Sequence, residues 1–257
     1  MILSELSSKE RPLLFGLPFS VEYQDQIKIL EYAYSNSNSW SGQVQVWDDD
    51  KKTYDPGGTY FGRIQVRKLS QQSIDTISHT QGLNVNWLNW AARLDPKSEW
   101  EWVDTPITTI VKKYTDQISH LYKKFNRVLI LVQNIGEEIP LHTDKVSKNS
   151  YNNEIFSPGP VRDLHLSVND FHQKNRYLAL KWSISEKEND KGMPIIRHKE
   201  NTYQYDPKDN LFAINEVDME HGAKKVFHKR GVIFLDGVLN YDNILKEKWI
   251  DLELKKI

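Results

Sequence analysis

The chain has 257 residues, 39% of them hydrophobic and 27% charged, a composition that supports a packed core and excludes a disordered tail. Its 34 basic and 35 acidic side chains leave a formal net charge of −1, and no Lys/Arg run exceeds two, so nucleic acid is a poor default partner. Cysteine is absent, which excludes disulfides, thiolate metal sites and a cysteine nucleophile. No apolar stretch approaches the roughly 18 residues of a membrane span, and the opening MILSELSSKERP has no apolar h-region, so a cytoplasmic protein is expected.

In chain order, Tyr23, Ile27, Leu30 and Tyr34 form a helical stripe that Ser20 is placed to cap. Val44 and Val46 alternate with Gln45 and Trp47, turn residues follow at Asp48 to Asp50 and at Asp55-Pro56-Gly57-Gly58, and Ile64 and Val66 then alternate with Arg63, Gln65 and Arg67 as in a half-buried strand. The clearest helix is predicted from Pro106 to about Phe125. Thr105 stands at its cap, Pro106 in its first turn, and a stripe from Ile107 through Ile110, Val111, Tyr114, Ile118, Leu121 and Tyr122 to Phe125 should lie flat on a sheet.

Beyond Arg127 the texture changes to short strands at Val128 to Val132, His165 to Val168, Tyr177 to Ile184, Leu211 to Ile214 and Val232 to Leu235. Turn signals separate them at Ser157-Pro158-Gly159-Pro160, Asn189 to Gly192, Asp206-Pro207 and Asp236-Gly237. The expected fold is mainly β with supporting helices around a barrel or sandwich. One domain is expected over 1–257, with helical and hairpin support in 1–126, the β core in 127–240 and a C-terminal extension in 241–257.

The sharpest local feature is Pro140-Leu141-His142-Thr143-Asp144. In extended backbone, residues i and i+2 face the same way, so His142 and Asp144 can offer one imidazole nitrogen and one carboxylate oxygen to a single metal. So short a triplet also arises by chance in a chain with 8 histidines. A second feature strengthens it: Met219-Glu220-His221-Gly222-Ala223 leads into Arg230-Gly231-Val232-Ile233-Phe234-Leu235-Asp236. A His from a separate strand completes a two-His-one-carboxylate set of the kind non-haem iron uses, and an arginine beside it can hold a carboxylate by a two-pronged pair.

The order His142-x-Asp144, His221, Arg230 resembles the Fe(II)/2-oxoglutarate-dependent dioxygenases. It is closest in motif to the aspartyl/asparaginyl β-hydroxylases and the free-proline hydroxylases, with Arg162-Asp163-Leu164-His165-Leu166 lying between the two halves of the site. The resemblance covers roughly Arg127 to Gly237. It departs from the compact members in a longer interval between Asp144 and His221, which places an insertion in Lys145 to Pro160, a candidate lid. It implies a double-stranded β-helix (jelly-roll, cupin-like) core, and Fe(II) held by His142, Asp144 and His221. It also implies 2-oxoglutarate held by Arg230 with His165 near its metal end, and O2 as oxidant. The implied reaction hydroxylates an unactivated C–H of an amino acid, peptide side chain or small molecule, releasing succinate and CO2, with no nucleic acid or membrane partner.

His198, which ends the apolar run from Ile195, is the rival third ligand. His79, His120 and His172 read as surface residues, and His228 is too close to Arg230 to be its metal-binding partner. Arg230 can also be read as a strand-end salt bridge, and His165 as a core histidine. The alternative for the whole chain is a cupin-like metal- or ligand-binding barrel without oxygenase activity. A tryptophan-rich carbohydrate-binding sandwich, using Trp87, Trp90, Trp100 and Trp102, is a further one.

Overall fold

The computed structural model describes residues 14–37, 43–48, 53–59, 61–75, 98–142, 179–192, 194–198, 200–214, 220–244 and 246–257. The expected strand His165 to Val168, the turn at Ser157 to Pro160, the candidate lid, Trp87 and Trp90 lie outside these residues.

Among the described residues, eight strands in chain order form the core: β6 (Tyr122–Gln133), β7 (Ile139–His142), β8 (Ala179–Ser185), β9 (Pro194–His198), β10 (Asn201–Tyr205), β11 (Asn210–Ile214), β12 (Glu220–Ala223) and β13 (Arg230–Leu239). They divide between two antiparallel sheets, one running β11-β8-β13-β6 and the other β10-β9-β12-β7. That interleaving, in which the chain crosses between the sheets at every step except the β9–β10 hairpin, is the double-stranded β-helix, or jelly roll.

Flanking strands extend both sheets. β1 (Leu14–Pro18) pairs with β11, β4 (Phe61–Leu69) pairs with β6, and β5 (Trp100–Trp102) pairs with β4. Near the C-terminus, β14 (Ile250–Asp251) joins β1, and β15 (Leu254–Lys256) joins β10, so one short segment edges both sheets. β2 (Gln43–Asp48) and β3 (Thr53–Thr59) form a separate hairpin.

The larger sheet is covered on one face by α1 (Tyr23–Asn36) and α2 (Thr108–Ile118). Period-two alternation sends Leu180, Trp182, Ile184, Ile130, Ile233 and Leu235 to that face, where they pack with Ile29, Leu30 and Ala33 of α1 and Val111, Tyr114 and Ile118 of α2. The opposite row, Lys181, Ser183 and Ser185 on β8 with Arg230, Val232 and Phe234 on β13, therefore faces the smaller sheet. Trp182 is core packing, as its strand pattern suggests.

Several local expectations are corrected. The helix predicted to Phe125 ends at Ile118, a 3-10 turn spans Ser119–Leu121, and Tyr122 opens β6. Tyr122 and Phe125 fit a helical stripe, but pairing with β13 and the Tyr122 hydroxyl's bond to the Leu235 carbonyl (3.0 Å) hold them extended. Ser20 does not cap α1. The Tyr114 hydroxyl of α2 instead accepts the Glu22 N–H (3.1 Å) and donates to Asp25 (2.6 Å) in the first turn. Asp55 to Gly58 lie within β3, and Asp236-Gly237 lies within β13 at a register shift.

Candidate metal centre

His142 closes β7 and His221 sits on β12, directly opposite in the ladder. His221 is also opposite Ile196 of β9, which is fully buried. Directly opposed residues share a face, so both imidazoles project toward the larger sheet. The alternate row confirms the assignment: Glu220 and Arg197, also directly opposed, form an exposed ion pair at 3.1 Å on the outer face. The two histidine ring centroids are 4.4 Å apart, with planes tilted by 48°.

Two backbone features set the pair. His142 Nδ1 lies 2.9 Å from the Pro140 carbonyl oxygen. A carbonyl only accepts, so Nδ1 carries the proton and Nε2 presents the lone pair, the tautomer a metal ligand needs. Gly222 follows His221. A Cβ there would lie 2.5 Å from the Ile139 oxygen and 2.9 Å from the Pro140 oxygen, so only glycine lets β12 come this close to β7. The ladder shifts register between His221 and Ala223, at this point of closest approach.

Arg230 opens β13 on the barrel-facing row and is 2% exposed. Among the described residues its Nε and Nη1 are buried without a hydrogen-bond partner, and burial drives its pKa down to about 10, partly countered by Tyr205, Tyr34 and Asp190. An arginine so placed is an acceptor-seeking cation, since a buried donor left unpaired is costly. Among the described residues it makes no ion pair within 4 Å.

Three segments build the seat of Arg230. From α1, the Tyr34 hydroxyl accepts the Arg230 N–H (3.2 Å) and donates to the Gln133 carbonyl (2.5 Å), tying β13 to β6. From the β8–β9 turn, Gly192 has φ +85°, and a Cβ there would meet the Arg230 side chain at Cδ (2.6 Å) and at the guanidinium carbon Cζ (2.7 Å). Asp190 holds that glycine through its N–H at 2.9 Å. From β10, Tyr205 is buried within electrostatic reach of the arginine, and burial raises its phenol pKa well above the usual range. The Gly192 signal stood in the sequence as a turn residue, but its partner lies 38 residues on. Nothing local marks Tyr34 or Tyr205.

Asp144 and His165 lie outside the described residues, as do His79 and His172. Among the described residues, no group of three His, Cys, Asp or Glu stands close enough to hold a metal, and the site there is the histidine pair. His198 shares the inward face of β9 with Ile196 but is not gathered with the pair. His228 is buried, with Nε2 3.8 Å from Asp190. His120 is half-exposed and pairs with Glu247 at 2.8 Å. Trp100 packs into the core and donates to Ser98 at 2.7 Å. No helix among the described residues is long and apolar enough to cross a membrane.

The donor set suits a divalent transition metal. Two imidazoles on adjacent strands are borderline ligands for such an ion, and the buried guanidinium of Arg230 on the facing sheet suits a carboxylate.

No family model matches the chain, and no curated protein matches it in sequence. Among solved structures it is similar to a Pseudomonas putida prolyl-4-hydroxylase, with TM-score 0.40 and 7% identity over 91% of this chain and 95% of that one. It is also similar to an oxidoreductase of the 2OG-Fe(II) oxygenase family from Burkholderia pseudomallei (TM-score 0.37, 9% identity, 83% and 77% covered). A third is OsALKBH1 (TM-score 0.40, 11% identity, 88% and 98% covered). The strand order itself, not the overlay, carries the fold.

Proposed function

We propose that this chain is an Fe(II)- and 2-oxoglutarate-dependent oxygenase that hydroxylates an unactivated C–H bond of an amino acid, peptide side chain or small molecule. The carrying observation is two kinds of donor on facing inner faces: His142 and His221 paired on the smaller sheet, and a buried Arg230 on the larger one with Nε and Nη1 unpaired among the described residues.

In this reading His142, Asp144 and His221 hold the metal, the Pro140 carbonyl keeps His142 in its ligating tautomer, and Gly222 keeps the two strands close. Arg230 takes the far carboxylate of 2-oxoglutarate, with His165 near the metal end. When bound, the iron would supply the activation of O2 that the side chains alone cannot. The protein's own part is orientation and dryness. Tyr34 and Gly192 hold Arg230 in place, and burial of the guanidinium strengthens its pairing with an incoming carboxylate.

The reading is tested by incubating the protein with Fe(II), 2-oxoglutarate and O2 and measuring succinate. Slow turnover in the absence of a prime substrate, lost in Arg230→Ala, is the expected result. Metal binding without any 2-oxoglutarate consumption would instead favour a cupin-like barrel that binds metal without turnover.

A further inference from the structure

His228 is a buried titratable group that the reading above leaves without a task. Its side chain is 5% exposed, and among the described residues its Nε2 is shielded from solvent without a hydrogen-bond partner. The carboxylate of Asp190 stands 3.8 Å from that nitrogen, just beyond hydrogen-bond reach. The loop that carries the histidine is held on two sides. The Gly136 N–H donates to the Val226 carbonyl (2.8 Å). The Lys229 N–H donates to the Glu186 carboxylate (2.7 Å), and the Glu186 N–H returns a bond to the Lys229 carbonyl (3.0 Å).

Asp190 links this histidine to Arg230. One of its oxygens takes the Gly192 N–H at 2.9 Å and the other faces His228, while Gly192 lies against the Arg230 side chain. One carboxylate thus serves two basic groups. The other charged groups of the β8–β9 turn are engaged elsewhere: Glu186 by Lys229, and Lys191 by Gln26 of α1 at 2.6 Å, with Asp209 at 3.7 Å. The phenols of Tyr34 and Tyr205 complete the surroundings of Arg230, and burial raises the pKa of both, so they stay neutral near pH 7.

We propose that binding of the cosubstrate's far carboxylate to Arg230 is coupled to uptake of a proton by His228, a positioning residue for the dicarboxylate. This rests on the oxygenase reading and adds a regulation of its cosubstrate site. Before binding, Arg230 and Asp190 offset each other and the imidazole is neutral. A carboxylate on Arg230 leaves Asp190 uncompensated, and a proton on His228 restores the balance. Both ring nitrogens of an imidazolium donate, so Nε2 then faces Asp190 as a donor. Asp190 keeps its hold on Gly192, and the guanidinium is left to the ligand. The proton comes from solvent by way of Asp190, whose side chain is 43% exposed. That same exposure screens the pair, so the uptake stays below one full proton. Because the bound state holds the extra proton, affinity rises as pH falls through the range where an imidazole titrates, and is flat above it.

The test is calorimetric titration of the Mn(II)-saturated full chain with 2-oxoglutarate at pH 6 and pH 8. Buffers of different ionisation enthalpy count the protons taken up. Wild type is expected to take up about half a proton per 2-oxoglutarate at pH 6 and none at pH 8, and to bind roughly threefold to tenfold more tightly at pH 6. Both differences should vanish in His228→Gln. Asp190→Asn keeps an oxygen for the Gly192 N–H but removes the charge, and should also reduce the uptake; it decides the matter if His228→Gln does not fold. A generally disturbed barrel would weaken binding at both pH values alike, and proton exchange at the metal ligands would persist in both variants. The coupling is overturned if wild type binds 2-oxoglutarate without uptake. It is equally overturned if the uptake survives His228→Gln or is unchanged in Asp190→Asn. A wild type that binds no 2-oxoglutarate at either pH overturns the oxygenase reading, and the coupling with it.

Discussion

Gly222 packs so tightly on Pro140 that a Cβ would fall 2.9 Å from the very carbonyl oxygen that takes the His142 Nδ1 proton. One missing methyl group thus links the two halves of the histidine pair: β12 closes on β7, and the carbonyl that sets the ligand's tautomer stays in reach. Gly222→Ala is expected to lower Mn(II) affinity by about tenfold to a hundredfold, the usual effect of disturbing a ligand's outer support. Far-UV circular dichroism should be nearly unchanged. Wild-type affinity in this variant would show that the close approach has no bearing on the metal.

His142→Ala and His221→Ala should each abolish stoichiometric Fe(II) binding in anaerobic equilibrium dialysis while leaving a folded chain, because both side chains lie on the inward face of the smaller sheet and outside the helix-covered core. His198→Ala should leave metal stoichiometry intact. The reverse pattern, iron lost with His198 and kept without His221, would exchange the third ligand.

Arg230→Ala should weaken 2-oxoglutarate by about ten- to a hundredfold in calorimetric titration, with Mn(II) affinity unchanged. The pH profile follows from burial. The guanidinium pKa is lowered to about 10, so the cation persists through neutral pH and is lost as pH rises through that value. Carboxylate affinity should be flat from pH 7 to 9 and fall above about 10. Gly192→Ala should reproduce part of the Arg230→Ala loss, because the new methyl group occupies the guanidinium's place. A variant that binds 2-oxoglutarate normally would dissolve the seat.

Legibility followed burial. The runs in β6 and β13 were readable because central strands covered on both faces are apolar throughout. β7 and β12 were less readable as strands, being four residues each and carrying a histidine on the face that meets the larger sheet. The chemistry was readable where it is compact in sequence, as in His221-Gly222 or Arg230 at a strand start. It was hidden where it depends on long-range contact. Tyr34 reaches Arg230 across 196 residues, and Tyr114 caps α1 from 92 residues away. Asp236-Gly237 read as a turn because of its residue types. In the fold Gly237 is a close-approach point against the Lys124 carbonyl, and Asp236 is buried in an ion pair with Arg127 at 2.5 Å.

The α1–α2 contact gives a stability test. The Tyr114 hydroxyl donates to Asp25, and with Lys113 beside it holds that carboxyl below its usual range. A carboxylate with a depressed native pKa adds stability that is present above its unfolded value of 3.8 and is lost as pH falls through the native one. Tyr114→Phe should therefore cost about 1.5–3 kcal/mol in urea unfolding at pH 7. The difference from wild type should shrink below about pH 4. A pH-independent difference would assign the loss to packing alone.

The most direct measurement is an anaerobic titration of the metal-free protein with Fe(II) and then 2-oxoglutarate, watching for the weak visible charge-transfer band of the metal–cosubstrate chelate, with His221→Ala alongside. A band that requires both additions and is missing in the variant is the predicted result. Iron binding with no spectral response to 2-oxoglutarate, or a band that survives without His221, would contradict the account.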